Sequence, residues 1–81
     1  MHVKLRLFAR LRDIAGATEL ERGVAQDATI ATLWEGLVEE HPGLRDYTRI
    51  VACARNAEFA RMHVPVADGD EIAFLPPVSG G

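Results

Sequence analysis

Thr29-Ile30-Ala31-Thr32-Leu33-Trp34-Glu35-Gly36-Leu37-Val38-Glu39-Glu40 is the stretch on which the fold turns. Ile30, Leu33, Trp34, Leu37 and Val38 recur at i, i+3, i+4, i+7 and i+8, with Glu35, Glu39 and Glu40 on the opposite side. An apolar stripe of that period is an amphipathic helix with one face to bury. Thr29 suits the N-cap, and His41-Pro42-Gly43 stops the helix because proline cannot continue it. A helix of about 12 residues, roughly 18 Å long, spans one small sheet.

The segments on either side supply that sheet. Residues 3–9 alternate with period 2, sending Val3, Leu5, Leu7 and Ala9 one way and Lys4, Arg6 and Phe8 the other. Phe8 therefore shares the wet face with two cations and is expected to be exposed. Arg10 to Gly16 reads as one helical turn closed by Gly16, and Thr18 to Val24 as a polar strand. Beyond the helix, Leu44 to Arg49 is polar and irregular, Ile50 to Ala54 is a short buried strand, Asn56 marks a turn and Phe59 sits in a brief extended piece. Ala67-Asp68-Gly69-Asp70 is a turn leading into Glu71-Ile72-Ala73-Phe74-Leu75. In that last strand Ile72 and Phe74 face one side, while Leu75 is expected among polar neighbours on the other. The order β, β, α, β, β describes an α+β domain whose sheet has one face covered by the helix and one open. It becomes a β-grasp if the first and last strands pair centrally.

Composition narrows the function. The 81 residues make one small domain, with residues 1–75 as its body. Nine Lys+Arg against twelve Asp+Glu leave a net charge of −3, and no basic run tracks phosphates, so nucleic acid is not an expected partner. Cys53 is the only cysteine, which excludes an intrachain disulfide and any multi-thiolate metal site. In a buried strand it reads as a small core residue and not as a sulfur relay. His2, His41 and His63 lack the spacing of metal ligands, so no metal and no bound cofactor is expected. The N-terminal stretch lacks the unbroken apolar run of a signal peptide or membrane span, and the expected location is the cytoplasm. No pair of reacting groups with an enclosed site can be drawn from the chain, so it is not expected to be an enzyme alone.

The chemistry concentrates in residues 76–81, Pro76-Pro77-Val78-Ser79-Gly80-Gly81. Two prolines bar an interior strand and two glycines hold no fixed shape, so this tail is expected to protrude, reaching about 20 Å if extended. An end without side chains can thread a narrow channel and present its α-carboxylate there. That carboxylate can attack the α-phosphorus of ATP and expel pyrophosphate, giving an acyl-adenylate. A sulfur nucleophile then displaces AMP to leave a thiocarboxylate, whereas an amine gives an amide.

Phe8-Ala9-Arg10-Leu11-Arg12-Asp13, Asn56, and the block from Asp68 through Pro76-Pro77-Val78-Ser79-Gly80-Gly81 resemble the small, sulfur-carrying subunits of molybdopterin synthases. The resemblance spans essentially the whole chain. It implies a ubiquitin-like β-grasp fold, adenylation of Gly81 by an E1-like adenylyltransferase that uses ATP, and conversion of Gly81 to a C-terminal thiocarboxylate (1-thioglycine). It further implies that the tail enters the synthase's large subunit and gives its sulfur to cyclic pyranopterin monophosphate, in an assembly of two small and two large chains. Family members bind partners through an apolar patch on the open sheet face, and the matching positions are Phe8, Phe59 and Leu75, with Arg12 beside them. Two departures stand out: Arg55 occupies a usually apolar position before Asn56, and Phe74-Leu75 replaces a Phe-Phe pair. Two other outlets for the same chemistry are a thiamin-thiazole sulfur carrier and a ubiquitin-like modifier joined to lysines of targets. Lys4, the only lysine, offers few attachment points for self-conjugation.

Overall fold

The computed structural model describes residues 1–77; Val78, Ser79, Gly80 and Gly81 lie outside the described residues, and with them most of the expected tail. The first strand, β1, runs His2–Leu7. It is followed by a seven-residue helix α1 (Ala9–Ala15), strand β2 (Glu19–Gly23) and the long helix α2 (Ile30–Glu40). A 3₁₀ turn over Pro42–Tyr47 leads to β3 (Ala52–Arg55), β4 (Glu58–Ala60) and β5 (Glu71–Leu75).

The five strands form one sheet in the order β2-β1-β5-β3-β4. β5 pairs parallel with β1, and the other pairings are antiparallel. The first and last strands thus lie side by side at the centre with α2 packed across one face, which makes the chain an α+β β-grasp domain.

Alternation decides which side of each strand meets α2. Leu5, Leu7, Ile72 and Phe74 are fully buried on the helix side, and Ile30, Leu33, Trp34 and Leu37 of α2 are buried against them. Each such side chain contributes on the order of 1.5–3 kcal/mol of burial free energy. The Trp34 and Phe74 rings sit 5.1 Å apart, tilted by 52°, within the range of favourable aromatic pairs. The indole N–H of Trp34 donates to Thr48 Oγ1 at 3.0 Å, so its one polar atom is satisfied. Thr29 caps α2: its hydroxyl accepts from the Thr32 amide, while the Thr32 hydroxyl accepts from the Thr29 amide.

Several boundaries differ from the sequence reading. Ala9 does not continue β1 inward, because the chain turns at Phe8 and Ala9 is exposed at φ 51°. The expected single turn after it is the complete helix α1, which buries Leu11 and ends at Gly16 in the left-handed conformation, φ 74°. Residues 44–49 are not wholly irregular, since the 3₁₀ turn buries Leu44. The third strand starts at Ala52, so Ile50 is not in the sheet and is 53% exposed. An apolar run shows where a strand can form, but the end of the preceding turn decides where it begins.

Candidate docking face and C-terminal arm

The open face is built from residues paired across the sheet. Arg6 of β1 faces Glu19 of β2 and Ala73 of β5, Ala73 faces Ala54 of β3, and Ala54 faces Phe59 of β4. Paired residues project to the same side, so Glu19, Arg6, Ala73, Ala54 and Phe59 form one row across the open face. Leu75 pairs with Ala52 in the next row toward the C-terminal end of β5. Small side chains at 52, 54 and 73 leave a low floor between Phe59 and Leu75.

Phe59 stands on the edge strand and is 83% exposed, far more than a large apolar side chain needs to be. Phe8 and Leu75, expected to be exposed, are only half-buried. Leu75 lies on a central strand whose neighbours flank it. Phe8 sits at the corner where β1 becomes α1, with the Arg6 guanidinium 5.5 Å from its ring centroid. Arg12, one helical turn beyond Phe8, is exposed and only loosely paired with Asp13 at 3.7 Å. The four expected interface residues therefore occupy the open face and the rim where β1 passes into α1.

At the start of β5 a polar network holds the strand in register. Asp70 is 6% exposed and accepts from Arg55 Nε at 2.6 Å, Asn56 Nδ2 at 2.9 Å and the Ala67 amide at 2.7 Å. Asn56 also accepts from the Glu71 amide at 2.9 Å, and its own amide donates to the Glu71 carbonyl. Burial pushes the Asp70 carboxyl up, but the Arg55, Ala67 and Asn56 hydrogen bonds and the Arg55 charge outweigh it and hold the group below its ordinary range. Arg55, the departure before Asn56, supplies the cation this buried carboxylate needs. The sequence reading missed Asp70: its side-chain partners lie 14 and 15 residues away, and the antiparallel pairing of β3 with β5 brings them to it.

The other end of β5 leads into the arm. Pro76 is half-buried and Pro77 exposed, and neither extends the sheet. Val78, Ser79, Gly80 and Gly81 follow beyond the described residues. Cys53 stands apart from both, buried on the helix side, with its thiol donating to the Ala60 carbonyl at 3.1 Å and its pKa pushed up by burial. A thiol in that state is a poor nucleophile.

A mixed five-strand β-grasp sheet backed on one face by a single long helix defines the ubiquitin-like class of small domains. The chain belongs to the ThiS family, matched over residues 5–81. It is 34% identical over 83 residues to the molybdopterin synthase sulfur carrier subunit of Chlamydomonas reinhardtii, with the whole of both chains covered. It is similar to the crystal structure of SAMP1 from Haloferax volcanii, with TM-score 0.84, 34% identity and all of both chains covered. It also resembles a chain in the solved protein–protein complex of subunits 1 and 2 of the molybdopterin-converting factor from Helicobacter pylori 26695. There the TM-score is 0.69, the identity 29%, and all of both chains are covered.

Proposed function

We propose that this chain is the sulfur carrier subunit of a molybdopterin synthase, with the Gly81 α-carboxylate as its reacting group. The observation that carries the reading is whole-chain similarity to sulfur carrier subunits, joined to a central strand that runs directly into Pro76-Pro77-Val78-Ser79-Gly80-Gly81. In the first step the carboxylate oxygen attacks the α-phosphorus of ATP on an E1-like adenylyltransferase, and pyrophosphate leaves. A sulfur nucleophile then displaces AMP, forming the C–S bond of the thiocarboxylate. Phe8, Arg12, Phe59 and Leu75 dock the domain on the large subunit, whose pocket receives the tail and the cyclic pyranopterin monophosphate. Val78, Ser79 and Gly80 serve as a thin approach that a channel can enclose. The rigid domain sets the position of the arm, and the arm carries the atom.

The decisive measurement is the intact mass after incubation with the cognate activating enzyme, ATP and a sulfur donor. A gain of about 16 Da, sulfur for oxygen at one carboxyl position, that is lost when Gly81 is deleted supports the reading. An unshifted mass under conditions that activate a known carrier overturns it. Similarity to small archaeal modifier protein 1, at 36% identity over 87 residues, favours a second reading in which an amine takes the place of sulfur and Gly81 is joined to lysines of other proteins. Gly81-remnant peptides on other proteins support that reading, and their absence across growth conditions removes it.

A further inference from the structure

We infer that Arg6 is the charge-reading residue of the open face and that the partner surface it meets carries a side-chain carboxylate. This rests on the docking reading above and adds to it a residue and a chemical requirement. Arg6 projects from β1 onto the open face, next to Ala73 in the row that ends at Phe59. Its guanidinium lies over the Phe8 ring at 5.5 Å. A guanidinium has five N–H donors, yet among the described residues Arg6 has no hydrogen bond from its side chain. Its nearest anion is Glu71 Oε1, 3.7 Å from Nη1 and beyond hydrogen-bonding distance, and its Nε is shut off from solvent without a partner. Elsewhere the chain does satisfy such groups, for Arg55 and Arg22 each reach a carboxylate within hydrogen-bonding distance.

The remaining donors of Arg6 are served by water while the face is open, since its side chain is 39% exposed. A partner that covers Phe8, Leu75 and Phe59 together must also lie over Ala73 and the adjoining Arg6, and it removes that water. A buried guanidinium without an acceptor is costly, so only a partner that offers an anion beside its apolar surface closes this face well. The cation–π contact with Phe8 keeps the guanidinium beside the ring, and its fork of N–H donors favours the two-pronged geometry of a carboxylate over a single neutral acceptor. Glu71 and Glu19 flank the site and repel a carboxylate arriving off-centre, so the requirement also sets register.

The test is calorimetric titration of the full chain into the cognate large subunit, with Arg6→Ala, Arg6→Lys, Arg6→Glu and Phe59→Ala beside the parent. Thermal melts of each variant exclude loss of fold. Arg6→Ala is expected to weaken binding about 30-fold, Arg6→Glu more, and Arg6→Lys less, with a shallower salt dependence for Arg6→Ala. Folded Arg6→Ala and Arg6→Glu variants that bind within twofold of the parent, while Phe59→Ala binds weakly, overturn the role of Arg6 alone. Unchanged binding by all four variants overturns the docking face itself.

Discussion

Arg55 and Asp70 meet through a 2.6 Å hydrogen bond at the start of the central strand, and Asn56 closes on the other oxygen of the same carboxylate at 2.9 Å. The pair fastens the β3–β4 turn to the strand that leads to the arm. Replacing Asp70 by Asn keeps the shape but strands the Arg55 cation. Because Arg55 is 38% exposed, water screens part of that loss. Asp70→Asn is expected to cost about 2 kcal/mol in urea denaturation, below the full penalty for breaking a buried pair.

The acid sensitivity of the fold follows from the same group. Asp70 titrates below its ordinary value in the folded chain, so its contribution is complete above the unfolded carboxyl pKa of about 3.9. It is lost as the pH falls through the lower folded value. Between neutral pH and about pH 3 the parent is expected to lose more stability than Asp70→Asn. Equal losses in the two proteins would show that Asp70 does not set this dependence.

Two substitutions of opposite kind are each expected to stabilise. Gly36 lies inside α2 with nothing within 4 Å of where a Cβ would stand, so Gly36→Ala gains about 0.5–1 kcal/mol by lowering the entropy of the unfolded chain. Ala57 sits at φ 71°, a region that disfavours a Cβ, so Ala57→Gly relieves strain worth about 0.5–1 kcal/mol. Scanning calorimetry should show each melting transition raised by about 4 °C.

Cys53 is expected to be spectator chemistry. In the folded protein a thiol-reactive disulfide reagent should modify it slowly, and addition of denaturant should release a rapid reaction. Cys53→Ala should still form the Gly81 thiocarboxylate. A variant that folds but no longer acquires sulfur would place this cysteine on the transfer route.

Phe59 separates binding from stability. At 83% exposure its removal deletes almost no core, so Phe59→Ala should change unfolding free energy by less than about 0.5 kcal/mol. Its affinity for the large subunit should nevertheless fall about tenfold or more. A large fall in stability instead would mean that the ring packs against the domain in solution.

The helix stripe was legible because Ile30, Leu33, Trp34 and Leu37 obey one period over a long segment, and all four are buried as that period requires. The open face was legible from Phe8 and Leu75 because apolar residues stood where polar ones belong, while Phe59 was added by the family resemblance. Ile50 was misread because its neighbours are apolar, while the turn from Tyr47 through Val51 delays the strand. The Arg55–Asp70 pair and the isolation of Arg6 could not be read, since each depends on residues distant in sequence becoming cross-strand neighbours. The expectation for the arm rests on its composition and on the family resemblance, whereas the arrangement of the open face needed the strand order.

Among the described strands β5 comes last in the chain, yet it lies at the middle of the sheet, between β1 and β3. Until residues 71–75 arrive, β1 and β3 have no common neighbour and α2 has no Ile72 or Phe74 to cover. The two half-sheets, β2 with β1 and β3 with β4, are therefore joined only through β5. Premature termination before β5 removes the keystone and the arm together. The centre of the sheet and the approach to Pro76-Pro77 are therefore one strand, and neither can be lost without the other.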